Sequence, residues 1–248
     1  MFKNLTSLRF SILVICSFFA FTLSLKAQND SLPIKRKLPI FKNIIAPSAF
    51  IVLGFALNNT ANEKNITKDV RSIVGHDYHN KIDDFTQAVP VIEMYAADII
   101  GIPAKNHWFD QTKNLAISTI VSGAIIQSLK RGLNKTRPNG APYSFPSGHT
   151  GTAFTNASVL YQEFKETSPI LAYSGYGFAV TTGAFRVINN THWTSDVLAS
   201  VGISILTTNL VYHFEPLKNW NPFKKTKGLT LVPYYNQHET GIFLTKRF

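Results

Sequence analysis

Three short stretches of this 248-residue chain concentrate the side chains that can bind and break a phosphate ester. The first is Lys130 to Pro138, with Lys130 and Arg137 at its two ends. The second is Pro146-Ser147-Gly148-His149. The third runs from Arg186 through His192 to Asp196. Cleaving a phosphate monoester requires that about two negative charges be neutralised, that donors meet the equatorial oxygens, and that a nucleophile and a proton for the leaving oxygen be supplied. Lys130, Arg137 and Arg186 offer the cations, and the planar arginine fork matches phosphate oxygens. Ser147 and the backbone N–H groups of Gly148 and His149 open a helix near Thr150, and helix N-termini attract anions. Gly148 lets the backbone come close to the ligand. His192 can attack phosphorus through one ring nitrogen while Asp196, four residues on, accepts a hydrogen bond from the other. His149 remains to protonate the leaving alcohol and then to activate water. This chemistry calls for no metal and no cofactor.

Each stretch also has an ordinary explanation. Lys130 and Arg186 close helices, where cations complement the macrodipole. Ser147 is a good N-cap. His192 and Asp196 at i and i+4 can be a simple pair on one helix face. What separates the readings is that the three stretches together hold every group the reaction needs. His76, His79, His107, His213 and His238 lack ligand spacing beside carboxylates and read as surface or packing residues.

The three stretches resemble the motifs of the type 2 phosphatidic acid phosphatase and vanadium haloperoxidase superfamily, K-x6-RP, PSGH and SR-x5-H-x3-D. Lys130 to Pro138 and Pro146 to His149 match in full. Arg186, His192 and Asp196 match at the right spacing, with Phe185 where the pattern has serine. The resemblance implies an all-α helical bundle with the site at one end. It implies that Lys130, Arg137, Ser147, Gly148 and Arg186 bind phosphate, that His149 is acid and base, that His192 is the nucleophile and that Asp196 orients it. It covers about Asn114 to His213 and leaves residues before about 85 and the C-terminal end outside.

The elements that must position these groups follow from periodicity and breakers. Residues 1–27 read as an export signal, with Lys3 and Arg9 ahead of the apolar run Phe10 to Leu23 and a cleavage site after Ala27. Residues 28–84 read as an N-terminal helix, Pro39 to Leu57 bent near Pro47, followed by a polar loop with a short amphipathic helix. Residues 85–215 form the core. Its helices are expected at Thr86–Ile102, Asn114–Arg131, Thr150–Lys165, Ile170–Val187 and Ser195–His213, with Lys105 to Lys113 as a polar link and Gly132 to Ser147 as a loop. That makes five to six apolar helices. Residues 216–248 are a tail whose two β-prone runs, Leu229–Tyr235 and Gly241–Phe248, suggest a hairpin.

Charged residues make up 16% of the chain, against about a quarter in ordinary globular domains. Cleavage after Ala27 removes Lys3, Arg9 and Lys26 and lowers the formal charge from +11 to +8. It also removes Cys16, which excludes disulfides and thiolate chemistry in the mature chain. The basic excess suits a phosphorylated lipid, a small-molecule phosphate or a membrane surface. Scattered cations without interleaved aromatics speak against nucleic acid. The expected protein is exported, lies on the periplasmic side and is membrane-associated. The alternatives are a soluble secreted acid phosphatase of broad specificity, a vanadate-dependent haloperoxidase, and a non-enzymatic phosphate binder, which would have no use for His192 and Asp196.

Overall fold

The computed structural model describes residues 41–75, 77–214, 229–235 and 240–246. The export segment, the lead-in to residue 40, His76 and His238 lie outside the described residues. The chain divides into two compact units, with the boundary along the sequence between His213 and Phe214. The first is all-α: α1 (Phe41–Leu57), α2 (Ala61–Val74), α3 (Ile82–Thr86), α4 (Val89–Ile100), α5 (Trp108–Leu133), α6 (Gly148–Phe164), α7 (Pro169–Ile188) and α8 (Thr194–His213). In the second, β1 (Leu229–Tyr235) pairs antiparallel with β2 (Thr240–Lys246), Leu229 opposite Lys246 and Tyr235 opposite Thr240.

Helix α6 is central and is buried along nearly its whole length. It packs against α5, α7 and α8, while α1 lies along α8. One core cluster joins Val159, Leu160 and Phe164 of α6 to Met94 and Ala97 of α4, Ala172 of α7 and Tyr212 of α8. A second joins Ala153, Phe154 and Ala157 of α6 to Ala179 of α7 and Val201 of α8. The α1–α8 contact depends on missing side chains. A Cβ built at Gly202 would lie 2.4 Å from the Pro47 carbonyl oxygen, and one at Gly54 would lie 2.6 Å from the Ala199 nitrogen. Small hydroxyls join α8 to α6: Ser200 Oγ donates to the Ser147 carbonyl at 2.7 Å, and Ser204 Oγ to the Gly151 carbonyl at 2.8 Å. These bonds fix the start of α6 beside the start of α8, where two of the three motifs meet.

One expectation needs correction, the start of α5. Helix α1 runs through Pro47, and a 90° corner separates it from α2. Asn59, in the left-handed region at φ 61, makes that corner, and Thr60 caps α2. Helix α5 begins at Trp108, not Asn114. Residues 108–113 join the helix because contacts outside it hold Gln111, which is buried and whose Nε2 donates to Asp98 Oδ1 and to the Asn106 carbonyl. Lys113 pairs with Asp110 at i, i+3.

Among the described residues, α8 alone is long and apolar enough by itself to cross a membrane, and 61% of that window is buried within the protein. The pair α1 and α2 passes the same criterion jointly.

Candidate active site

Four chain segments build the site. Helix α5 delivers Lys130 in its last turn and ends at Asn134, whose φ of 42 is tolerable for asparagine. The loop that follows folds into a turn, with the Gly140 N–H donating to the Arg137 carbonyl at 3.0 Å and the Arg137 N–H to the Ala141 carbonyl at 2.7 Å. Lys130 Nζ donates to the carbonyls of Tyr143 at 3.0 Å and Ser144 at 3.4 Å, so it braces the loop that precedes α6. Ser147 caps α6, its Oγ accepting from Thr150 Oγ1 at 2.9 Å and from the Thr150 N–H at 3.4 Å. A Cβ on Gly148 would lie 3.9 Å from Lys130 Cε, which places the first turn of α6 alongside that lysine.

The third motif closes on itself. Helix α7 ends with Arg186 in its last turn, and the Arg186 carbonyl accepts the N–H groups of Thr191 at 3.1 Å and His192 at 3.2 Å. Asn190 bridges the turn in the left-handed region. The His192 ring is 1% exposed, with Nδ1 at 3.3 Å from Asp196 Oδ2. That same oxygen accepts the Trp193 N–H at 2.9 Å and the Ser144 hydroxyl, and Trp193 Nε1 donates to the Thr136 carbonyl at 2.8 Å. With Nδ1 held by Asp196, Nε2 is the ring nitrogen left to react.

The cations are close enough to act on one another and on the histidines. Burial pulls the His192 imidazolium down to about 4; Lys130 and Arg186 add to this and Asp196 opposes it. Its ring is therefore neutral over the whole neutral range. Burial, then Arg137, brings the Lys130 ammonium down to about 8, with Arg186 contributing in the same sense and Asp196 opposing. Burial and Arg186 also lower the half-buried His149, against the pull of Asp84 and Asp83. Nε of Arg137 and Nε of Arg186 are both buried without a hydrogen-bond partner among the described residues. A buried donor left unpaired costs about 1–3 kcal/mol, and an anion accepting from both would remove that penalty. The arrangement is a cationic cup with two spare guanidinium donors, a helix N-terminus and a neutral imidazole. Such a set of groups suits a tetrahedral oxyanion.

The PAP2 superfamily model matches residues 111–220, which include all three motifs. This segment belongs to the PAP2 superfamily. Over 178 residues the chain is 32% identical to the lipid A 1-phosphatase of Porphyromonas gingivalis, an overlap covering 71% of this chain and 40% of that protein. The crystal structure of the first transmembrane PAP2 type phosphatidylglycerolphosphate phosphatase from Bacillus subtilis aligns with a TM-score of 0.51 at 16% identity, covering 73% of this chain and 99% of that one. It shares the helical fold. The crystal structure of Aquifex aeolicus LpxE aligns at a TM-score of 0.49 and 19% identity, over 64% of this chain and 99% of that one.

The PAP2 segment thus holds all eight residues singled out by their spacing, but four groups at the site went unnoticed. Asp83 Oδ2 accepts from Arg186 Nη1 at 2.6 Å. Asp84 Oδ1 lies 3.1 Å from His149 Nε2. Lys135 Nζ donates to Asp196 Oδ1 at 3.1 Å and to Glu63 Oε2 at 3.0 Å. Asp83 and Asp84 sit on α3 and Glu63 on α2, both ahead of the family match. The only sequence signal at Glu63 is Thr60-x-x-Glu63, a capping box, and it predicts a helix start and nothing about a site.

Proposed function

We propose that this protein hydrolyses phosphate monoesters of membrane lipids, without a metal, through a phosphohistidine on His192. The observation that carries the reading is the pair of unpartnered guanidinium Nε groups, Arg137 and Arg186, in the same cup as a buried neutral His192 bonded to Asp196. In the first step His192 Nε2 forms a bond to phosphorus as the bond to the leaving oxygen breaks, and His149 gives that oxygen its proton. Asp196 holds the Nδ1 proton and stabilises the imidazolium character that develops. Lys130, Arg137, Arg186, Ser147 and the N–H groups of Gly148 and His149 hold the phosphoryl oxygens. In the second step His149 takes a proton from water, the water oxygen bonds to phosphorus, the P–N bond breaks and His192 returns neutral.

A lipid substrate is supported by the outer surface. Ile45 and Val52 on α1, Ile120 on α5, Ile170 on α7 and Ile92 and Ile99 on α4 are all more than 60% exposed. Apolar side chains exposed around so much of a bundle favour a bilayer over water as the neighbour. They also favour a membrane enzyme over the soluble secreted phosphatase. Among phosphatidic acid, phosphatidylglycerol phosphate, isoprenyl diphosphates and lipid A, the lipid A 1-phosphatase relative makes lipid A the first to test. The chain spans 40% of that relative's length. The basic start and apolar run of residues 1–27 support export, with the site on the periplasmic side.

The test is phosphate release by detergent-solubilised protein from a panel of these lipids and of soluble phosphate esters. Turnover of a lipid ester that persists in excess chelator, is inhibited by vanadate and is abolished in a folded His192→Ala variant is the expected result. Wild-type turnover in His192→Ala would end the phosphohistidine reading, and halide oxidation with added vanadate in place of hydrolysis would identify a haloperoxidase.

A further inference from the structure

Asp196, the partner of the nucleophile, is itself held by charged groups that no step of the reaction consumes. Its Oδ2 faces His192, Ser144 and the Trp193 N–H; its Oδ1 faces Lys135. Lys135 Nζ lies between two carboxylates, 3.1 Å from Asp196 and 3.0 Å from Glu63, and 2.9 Å from the Ser195 hydroxyl, which donates to Glu63. Glu63 and Asp196 are wholly buried and Lys135 nearly so. The ammonium also sits 5.7 Å from the Phe145 ring centroid and 5.5 Å from that of Trp193. Glu63 in turn is locked at the start of α2, where its Oε1 accepts the Asn59 N–H at 2.6 Å.

We propose that Lys135 and Glu63 are positioning residues for the reaction, a buried charge relay that keeps Asp196 ionised and aimed at Nδ1 of His192. Two buried carboxylates sharing one site repel, and without a cation between them one takes up a proton. Lys135 prevents that. A protonated Asp196 would lose its grip on the Nδ1 proton and its stabilisation of the imidazolium. Glu63 has the opposite task. It draws Lys135 partly away, so that Asp196 keeps enough negative charge for His192 and the ammonium stays on the Oδ1 side. The other charges that reach Asp196 are His192 itself and the phosphate-side cations Lys130 and Arg137. Those cations are met by substrate, whereas Lys135 is not; its hydrogen bonds are all taken within the relay. This assignment rests on the phosphohistidine reading for its kinetic consequence, though not for its electrostatic one.

The experiment uses the full chain in detergent, with a lipid phosphate monoester as probe, and compares Lys135→Met, Lys135→Arg, Glu63→Gln and the Lys135→Met/Glu63→Gln double variant. Lys135→Met is expected to lower kcat roughly tenfold or more with KM within about twofold, and to move the acid limb of kcat/KM to higher pH by about one unit, which is a tenfold change in proton affinity. The double variant removes the excess carboxylate charge and is expected to bring both back toward wild type; Lys135→Arg retains the cation and most of the activity. Glu63→Gln leaves Lys135 wholly to Asp196 and shifts the limb to lower pH, so it carries the test if Lys135→Met does not fold. An independent readout is the NMR titration of the His192 ring, expected to fall in Lys135→Met, where a protonated Asp196 no longer stabilises the imidazolium, and to fall in Glu63→Gln, where Lys135 offsets more of the Asp196 charge. A folded Lys135→Met with wild-type kcat, or a His192 titration that no variant moves, overturns the proposal. Titration shifts of the expected sign in a protein that releases phosphate from no substrate would overturn the phosphatase reading and leave the relay standing.

Discussion

In the proposed reaction His192 and His149 have to be in opposite protonation states at the same pH, and the residues around each one favour this. His192 must be neutral to attack, and burial with two neighbouring cations holds its imidazolium down to about 4. His149 must carry a proton to release the leaving group; it is lowered by burial and Arg186 but raised by Asp84 and Asp83. The neutral nucleophile is fully present above about 4 and is lost as pH falls through that value. The protonated acid is present at low pH and is lost as pH rises through a value below the ordinary 6.5. A bell-shaped kcat/KM profile with its maximum on the acid side of neutrality is the expected outcome. Removing the Asp84 charge with Asp84→Asn removes an upward pull on His149, so the alkaline limb should move to lower pH while the acid limb stays. Initial rates across the profile check both limbs. Asp196→Asn tests the other side of the pair. The amide keeps the shape but offers Nδ1 the wrong hydrogen-bonding partner, and a loss of kcat on the order of 10⁴ is expected, by analogy with the same change in a serine-protease triad. Single-turnover measurements would show that loss in the chemical step, with binding retained.

The same residues depend on how closely the helices approach, and here the glycines differ in kind. Gly202 on α8 faces α1 with no room for a methyl group, the Pro47 carbonyl being 2.4 Å from where a Cβ would stand. Gly202→Ala must push α1 away from α8, and with it α2, whose Glu63 reaches the site. Overpacking of this kind costs about 1–3 kcal/mol. Gly177 on α7 meets nothing within 4 Å, so Gly177→Ala should gain about 0.5–1 kcal/mol from helix propensity alone. Thermal unfolding of the two variants should therefore show shifts of opposite sign, with activity falling only in the first. This division also explains which elements were legible in the sequence. The five core helices were readable from apolar runs ended by Gly, Pro and Asn, and the three motifs were readable because each is contiguous. The start of α5 was not: Gln111 and Lys113 look like linker residues until Asp98, Asn106 and Asp110 are seen to satisfy them. Glu63, Asp83 and Asp84 were not legible either. They belong to short polar segments with no periodic signal, and only the 90° corner after α1 and the packing of α3 on α7 bring them to Lys135, Arg186 and His149.

At the scale of the whole molecule, two forces can bring the protein to a bilayer, and they respond to different treatments. The formal charge of +11 favours anionic lipid surfaces, an attraction that salt screens over about 10 Å at 0.1 M. The exposed isoleucines and valines on α1, α4, α5 and α7 favour the apolar interior, an attraction worth roughly 25 cal/mol per Å² that salt does not weaken. The polar cup and the apolar belt belong to the same bundle, so an enzyme held by the belt meets lipid headgroups without leaving the membrane. High salt should then leave the protein in the membrane pellet, whereas detergent should release it. Protein that washes off in salt would be bound through its charge, and the belt would need another occupant. The kinetics should separate the cases in the same way. For a belt-held enzyme in mixed micelles, the rate should follow the mole fraction of phosphorylated lipid in the micelle surface and stay level when micelles of fixed composition are diluted. A soluble phosphatase would instead follow bulk concentration, and it would cleave a water-soluble phosphate ester as readily as its lipid counterpart.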